Sequence, residues 1–165
     1  MKKIVFMGTP LFAVPILKSI FSKGYNIPLV YTQPPSKSNR GHKVSKSPIH
    51  KFCEENNLKV RTPENFKNLD DEKKILKKLE ADIAIVVAYG QILPKDILKV
   101  CKKGFINVHA SLLPKLRGAA PIQRSIMNLD NETGISIMQI NEKLDQGKVY
   151  SQYKININRD DNAEY

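Results

Sequence analysis

Cysteine is scarce in this chain of 165 residues, with Cys53 and Cys101 the two present. They stand too far apart for a metal-ligand pair and are too few for a disulfide framework, so they read as buried, reduced thiols of a cytosolic-type protein. Long apolar runs are also missing. Charged or turn residues interrupt every run within about ten positions, where a membrane-spanning helix needs roughly 20 apolar residues, and this excludes a bilayer-crossing role. The opening Met1-Lys2-Lys3-Ile4-Val5-Phe6-Met7 resembles the basic front of a secretory signal. Gly8-Thr9-Pro10 then ends the apolar run and no small-residue cleavage site follows, so the segment reads as a buried first strand. The same turn holds one glycine where a dinucleotide-binding fold shows three, and it lacks the Gly-Lys-Ser/Thr of a phosphate loop. A nicotinamide or nucleoside triphosphate cofactor is therefore not expected. Acid is absent from the first 53 residues, which carry nine Lys or Arg and supply most of the net charge of +11. Such asymmetry fits a polyanionic partner, and equally the solvated surface of a lysine-rich protein.

What is present suits one globular domain: 41% of the residues are hydrophobic and 26% charged. Strand and helix patterns alternate. Lys3 to Met7 reads as a strand, and Phe12, Ile16, Leu17, Ile20 and Phe21 fall at helical spacing until Gly24. Ile27 to Thr32 is a second strand, followed by a stretch to Lys46 with two prolines and a glycine, expected as a long exposed loop. Ser47 before Pro48 marks a helix start with Ile49, Phe52 and Cys53 inward, and Lys59 to Arg61 a brief strand. Asp70 to Leu79 reads as a charged surface helix. Ile83 to Ala88 is apolar on both faces, as in the centre of a parallel sheet. Pro94 to Val100 is a short helix, Phe105 to His109 a strand, Gly118 to Met127 a helix, and Gly134 to Ile140 and Lys148 to Ile157 are late strands. The expected fold is an open, doubly wound, Rossmann-like α/β domain, its sheet mostly parallel with helices on both faces and ligands outside the carboxyl ends of the strands.

Asn107 and His109 lie two apart at a strand end, so their side chains point to the same side. Such a pair can share a substrate, although a histidine there can equally be an ordinary buried one. Asp145, between two late strands, reads by itself as a turn cap.

The run Asn107-Val108-His109-Ala110-Ser111-Leu112-Leu113-Pro114-Lys115-Leu116-Arg117-Gly118-Ala119-Ala120-Pro121-Ile122-Gln123 resembles the signature of the 10-formyltetrahydrofolate-dependent formyltransferases. Its second half resembles the methionyl-tRNA version of that family. Met7-Gly8-Thr9-Pro10, Tyr31-Thr32-Gln33-Pro34, Ala88-Tyr89-Gly90, Glu132-Thr133-Gly134 and Leu144-Asp145 with Gly147 extend the likeness along the whole chain. The resemblance implies transfer of a formyl group from 10-formyltetrahydrofolate to the α-amino group of methionine on initiator methionyl-tRNA. It makes Asn107 and His109 oxyanion donors and Asp145 a proton relay held near His109. It also makes Ser111-Leu112-Leu113-Pro114 a tetrahydrofolate-binding loop with Ala88-Tyr89-Gly90 beside it, although Leu112 and Leu113 alone read as core. No metal, membrane or obligate protein partner is implied.

The loop from Pro34 to Lys46, with Lys37, Arg40, Lys43 and Lys46, corresponds in the family to an insertion approaching the tRNA acceptor arm; the lesser alternative is a solvated lysine-rich loop. Residues 1–165 are expected to be the N-terminal catalytic domain, incomplete at its C-terminal end and without the family's C-terminal β-barrel tRNA-binding domain. Asp161-Asn162-Ala163-Glu164 has the spacing of a capping box opening a helix. The expected compartment is cytoplasmic, a bacterial-type cytosol or an organellar matrix. Two alternatives stand beside this reading: a formyltransferase for a small amine of phosphoribosyl-glycinamide or sugar-nucleotide type, and a non-catalytic RNA-binding fragment.

Overall fold

A computed structural model describes residues 1–37, 44–66 and 69–163. The chain folds as two compact units, Met1–Phe105 and Ile106–Tyr165.

The first unit is built on four parallel strands. β1 (Lys3–Gly8) lies between β2 (Asn26–Tyr31) and β6 (Ile83–Val87), and β5 (Val60–Arg61) pairs with the outer side of β2. Ile4, Val5, Phe6 and Met7 are all buried, as a central strand covered on both faces requires. A 3-10 turn at Leu11–Ala13 and α1 (Val14–Ser22) lead from β1 to β2, and α2 (Pro48–Glu55) leads to β5. α3 (Leu69–Leu79) then carries the chain back to β6 on the other side of β1. Right-handed crossovers in opposite directions place their helices on opposite faces, so the unit is doubly wound about the β1–β6 junction. α1 lies against α2, and α3 against α4 (Lys95–Leu98). Ser47 caps α2, its Oγ accepting from the His50 N–H at 3.0 Å while bonding the Thr32 hydroxyl at 2.7 Å.

The second unit is antiparallel. β7 (Phe105–His109) pairs with β8 (Glu132–Gln139), and β8 with β9 (Val149–Asn156). Four of these seven strands are thus parallel and three antiparallel, an α/β fold of the expected class. α5 (Pro121–Met127) joins β7 to β8.

Three local expectations change. The stretch after β2 is not wholly loop, because β3 (Ser36–Lys37) and β4 (Val44–Ser45) form a two-residue antiparallel ladder; Arg40 and Lys43 lie outside the described residues. The helix expected from Gly118 begins at Pro121, since Gly118 and Ala120 are left-handed, at φ 86° and 55°, and cannot belong to it. α3 is not purely a surface helix. Glu72 is buried, accepting from the Tyr31 hydroxyl at 2.7 Å and from Arg61 Nη2 at 2.6 Å. Burial and the adjacent Glu72 carboxylate push the Tyr31 hydroxyl pKa far up. The capping-box spacing at Asp161 ends on Glu164, outside the described residues.

Candidate active site

β7 delivers Asn107 and His109 to one place because strand side chains alternate. His109 is 6% exposed. The turn between β8 and β9 supplies Asp145, and its carboxylate sits at the centre of three groups. Oδ2 accepts from the Gly118 N–H at 2.8 Å and lies 3.6 Å from His109 Nδ1, while Oδ1 accepts from Asn107 Nδ2 at 3.4 Å. The His109–Asp145 separation is an ion-pair distance and slightly longer than a hydrogen bond. Across the ring, His109 Nε2 faces the Leu116 carbonyl at 3.0 Å. Both ring nitrogens therefore face oxygen atoms, one of a carboxylate and one of a backbone carbonyl.

The backbone is bent to achieve this. Leu116 (φ 52°), Ala120 (φ 55°) and Asp145 (φ 47°) occupy the left-handed region, at a cost of order 1–2 kcal/mol for a residue with a Cβ. Such strain persists where surrounding contacts over-determine it, and it clusters at functional sites. Gly147 allows the turn to close: a Cβ there would stand 1.8 Å from the Gln139 carbonyl oxygen of β8. The Leu116 carbonyl and the Gly118 N–H escaped the sequence reading because they are backbone groups. Gly118, in the same motif run as His109, was the available signal.

Ser111 to Pro114 follows β7 directly. Ser111 Oγ donates to the Lys115 carbonyl at 2.7 Å, Leu113 is buried, and the Leu113–Pro114 bond is cis. In the first unit, Ala88 and Gly90 are left-handed and close the carboxyl end of β6. Tyr89 is 2% exposed with its ring against Phe66, so what this turn offers a ligand is backbone and not the Tyr89 ring. The Tyr89 carbonyl accepts from Thr9 Oγ1 at 2.9 Å, tying the ends of β1 and β6 together at the switch point of the parallel strands. Among the basic residues, Lys46 is paired with Glu54 of α2, which holds the Glu54 carboxyl below its usual range. Its charge is less available to a partner than the acid-free loop suggests. Among the described residues no group of three or more His, Cys, Asp or Glu is placed to hold a metal.

Two N–H-bearing side chains and a carboxylate converging at a strand end are the parts of an acyl-transfer site, in which donors meet a developing oxyanion and a base takes a proton. The formyl transferase family model matches residues 1–165. This chain belongs to the formyl transferase family. It is 64% identical over 99% of its length to a methionyl-tRNA formyltransferase of Pelagibacter ubique, and covers 53% of that protein. It is 48% identical over 99% of its length to one of Paramagnetospirillum magneticum, again covering 53%. The chain thus spans about half the length of the curated relatives it matches. Among solved structures, the phosphoribosylglycinamide formyltransferase of Anaplasma phagocytophilum matches 99% of this chain and is itself 76% covered, with a TM-score of 0.79 at 17% identity. A formyltetrahydrofolate deformylase of Pseudomonas syringae matches with a TM-score of 0.75 at 20% identity, 54% of it covered. At such identities these two show the fold alone, the Rossmann-like α/β fold of formyl transferases.

Proposed function

We propose that this formyl transferase chain moves the formyl group of 10-formyltetrahydrofolate to the α-amino group of methionine on initiator methionyl-tRNA, in a bacterial-type cytosol. The observation that carries the reading is the meeting of Asn107, His109 and Asp145 in a chain 64% identical to a methionyl-tRNA formyltransferase.

Attack of the amine on the formyl carbon makes one N–C bond and places negative charge on the formyl oxygen. The Asn107 amide and His109 Nε2, the latter shared with the Leu116 carbonyl, supply N–H groups to that oxygen. Asp145, 3.6 Å from His109 Nδ1, takes up the proton shed by the attacking nitrogen, directly or through water. Cleavage of the bond from the formyl carbon to the donor nitrogen completes transfer, and the proton passes to that nitrogen.

Leu112 and Leu113 fit one wall of a site for a flat heterocycle. The Leu113 N–H and carbonyl are already bonded to β8 and β9, so the Ser111-Leu112-Leu113-Pro114 loop contributes apolar shape more than free backbone donors. We take Ala88-Tyr89-Gly90 of the first unit as folate-binding as well, through its backbone groups. Lys37, Arg40 and Lys43 attract the tRNA backbone, with a smaller share for the paired Lys46. We also take residues 1–165 as the catalytic part of a longer enzyme.

The test is formyl transfer from 10-formyltetrahydrofolate to charged initiator tRNA, with a small glycinamide-type amine in parallel. Formyl-methionyl-tRNA formed only in the presence of active-site residues supports the reading. Formylation of the small amine with none of the tRNA would overturn it.

A further inference from the structure

The segment between His109 and Leu116 forms a closed loop, since it begins at His109 and its Leu116 carbonyl returns to His109 Nε2 at 3.0 Å. Its middle is pinned from below by one hydroxyl. Ser136 of β8 is fully buried, and its Oγ donates to the Ser111 carbonyl at 2.6 Å while accepting from the Leu113 N–H at 3.0 Å. The second lone pair takes Nε2 of Gln152 at 2.9 Å, and that amide also donates to the Leu113 carbonyl at 2.8 Å. Ser136 and Gln152 are directly opposed across the β8–β9 ladder. One donor and two acceptors exhaust what a serine hydroxyl offers. Around it the packing leaves no slack, because a Cβ on Gly134, two residues along the same face of β8, would stand 2.7 Å from Leu112 Cδ2.

We propose that Ser136, backed by Gln152, is a positioning residue that sets the shape of the Ser111–Leu116 loop and so both the apolar wall of the formyl-donor site and the carbonyl that orients His109. The pair reaches chemistry only through that loop. The loop's role as a donor wall rests on the function proposed above, whereas its anchoring by Ser136 does not.

The hydroxyl's saturation gives the test its direction. Removing it leaves the Ser111 carbonyl and the Leu113 N–H without that partner in a buried place. In Ser136→Ala, amide exchange at Leu113 should quicken by roughly tenfold or more, the equivalent of about 1.4 kcal/mol, while the amides of β1 are unchanged. The KM for 10-formyltetrahydrofolate should rise about as much, with the KM for the amine substrate little altered. Should Ser136→Ala fail to fold, Gln152→Leu on the edge strand probes the same anchor and should show a smaller acceleration at Leu113. Unchanged exchange at Leu113 in a folded variant would overturn the anchor. A variant with faster exchange and an unaltered KM for the donor would overturn its functional consequence. A wild-type chain that transfers no formyl group refutes the proposed function instead, and the exchange arm still decides the anchor.

Discussion

At the scale of single residues, the two donors on β7 carry the heaviest expectation. Asn107→Ala and His109→Ala should each lower formyl transfer by at least about a hundredfold, the size of a lost oxyanion donor or general base. Steady-state rates on folded variants check this, and near-normal turnover by His109→Ala would remove it from the mechanism. The cysteines behave oppositely. Burial pushes the Cys53 thiol up to about 12, with Glu54 adding to it, and burial alone pushes Cys101 up to about 11. Both thiols stay protonated through neutral pH, and both are sequestered, so neither is a nucleophile. Mass spectrometry after iodoacetamide at pH 8 should find no adduct on the folded chain and two after denaturation. Rapid labelling of either one without denaturant would show that the burial described for it is wrong.

Single elements depend on a few such side chains at their ends. Ser47 starts α2 by accepting the His50 N–H, and Ser47→Ala should lower stability by about 1 kcal/mol in urea titrations, the usual size of a lost N-cap. A change near zero would mean that Pro48 alone sets the helix start. The beginning of the parallel sheet is tied by Asp82, whose carboxylate accepts from the Lys3 N–H at 2.8 Å. That hydrogen bond chiefly holds its pKa below the usual value, with Lys2, Lys102 and Lys103 adding to it. Because the folded value is lowered, this stabilisation is present above the ordinary aspartate pKa of roughly 3.9 and is lost as pH falls through the folded value. Wild type should therefore melt higher than Asp82→Asn near neutral pH, and the two curves should converge as pH falls through the lowered folded value. Parallel curves across that range would assign Asp82 no part in acid stability. Glu72 marks the limit of pattern reading at this scale. Its neighbours Asp70 and Asp71 are exposed as a charged helix predicts, yet Glu72 turns inward to Tyr31 and Arg61.

For the molecule as a whole, charge is the distinguishing property, with a net +11 and no acid before Glu54. Replacing Arg40 and Lys43 together with alanine should weaken binding of initiator tRNA without changing affinity for tetrahydrofolate. The slope of log affinity against log salt should fall by about one to two, since two fewer phosphate contacts release fewer counterions. Filter binding across a salt series measures both quantities. An unaltered slope would mark the stretch as solvated surface and leave the acid-free first third in need of another partner. Lys46→Ala should have the smaller effect of the basic residues, because the Lys46 charge already faces Glu54.

From the sequence alone, the alternation of strands and helices, the bounds of Phe105–His109 and the shared direction of Asn107 and His109 follow, because periods of two and 3.6 are local and each residue reports its own face. The apolar stretch of β6 announced its place at the sheet centre in the same way, and that of β1 its burial. The resemblance alone put Asp145 near His109, 36 positions earlier, and the tertiary structure set the separation at 3.6 Å. That approach depends on the register of β8 against β7 and β9, on left-handed turns at Leu116, Ala120 and Asp145, and on the space left by Gly147. The inward turn of Glu72, the pairing of Lys46 with Glu54 and the grip of Ser136 on the loop were decided in the same way. Long-range register and backbone carbonyls carry no side-chain period, so no pattern along the chain could report them.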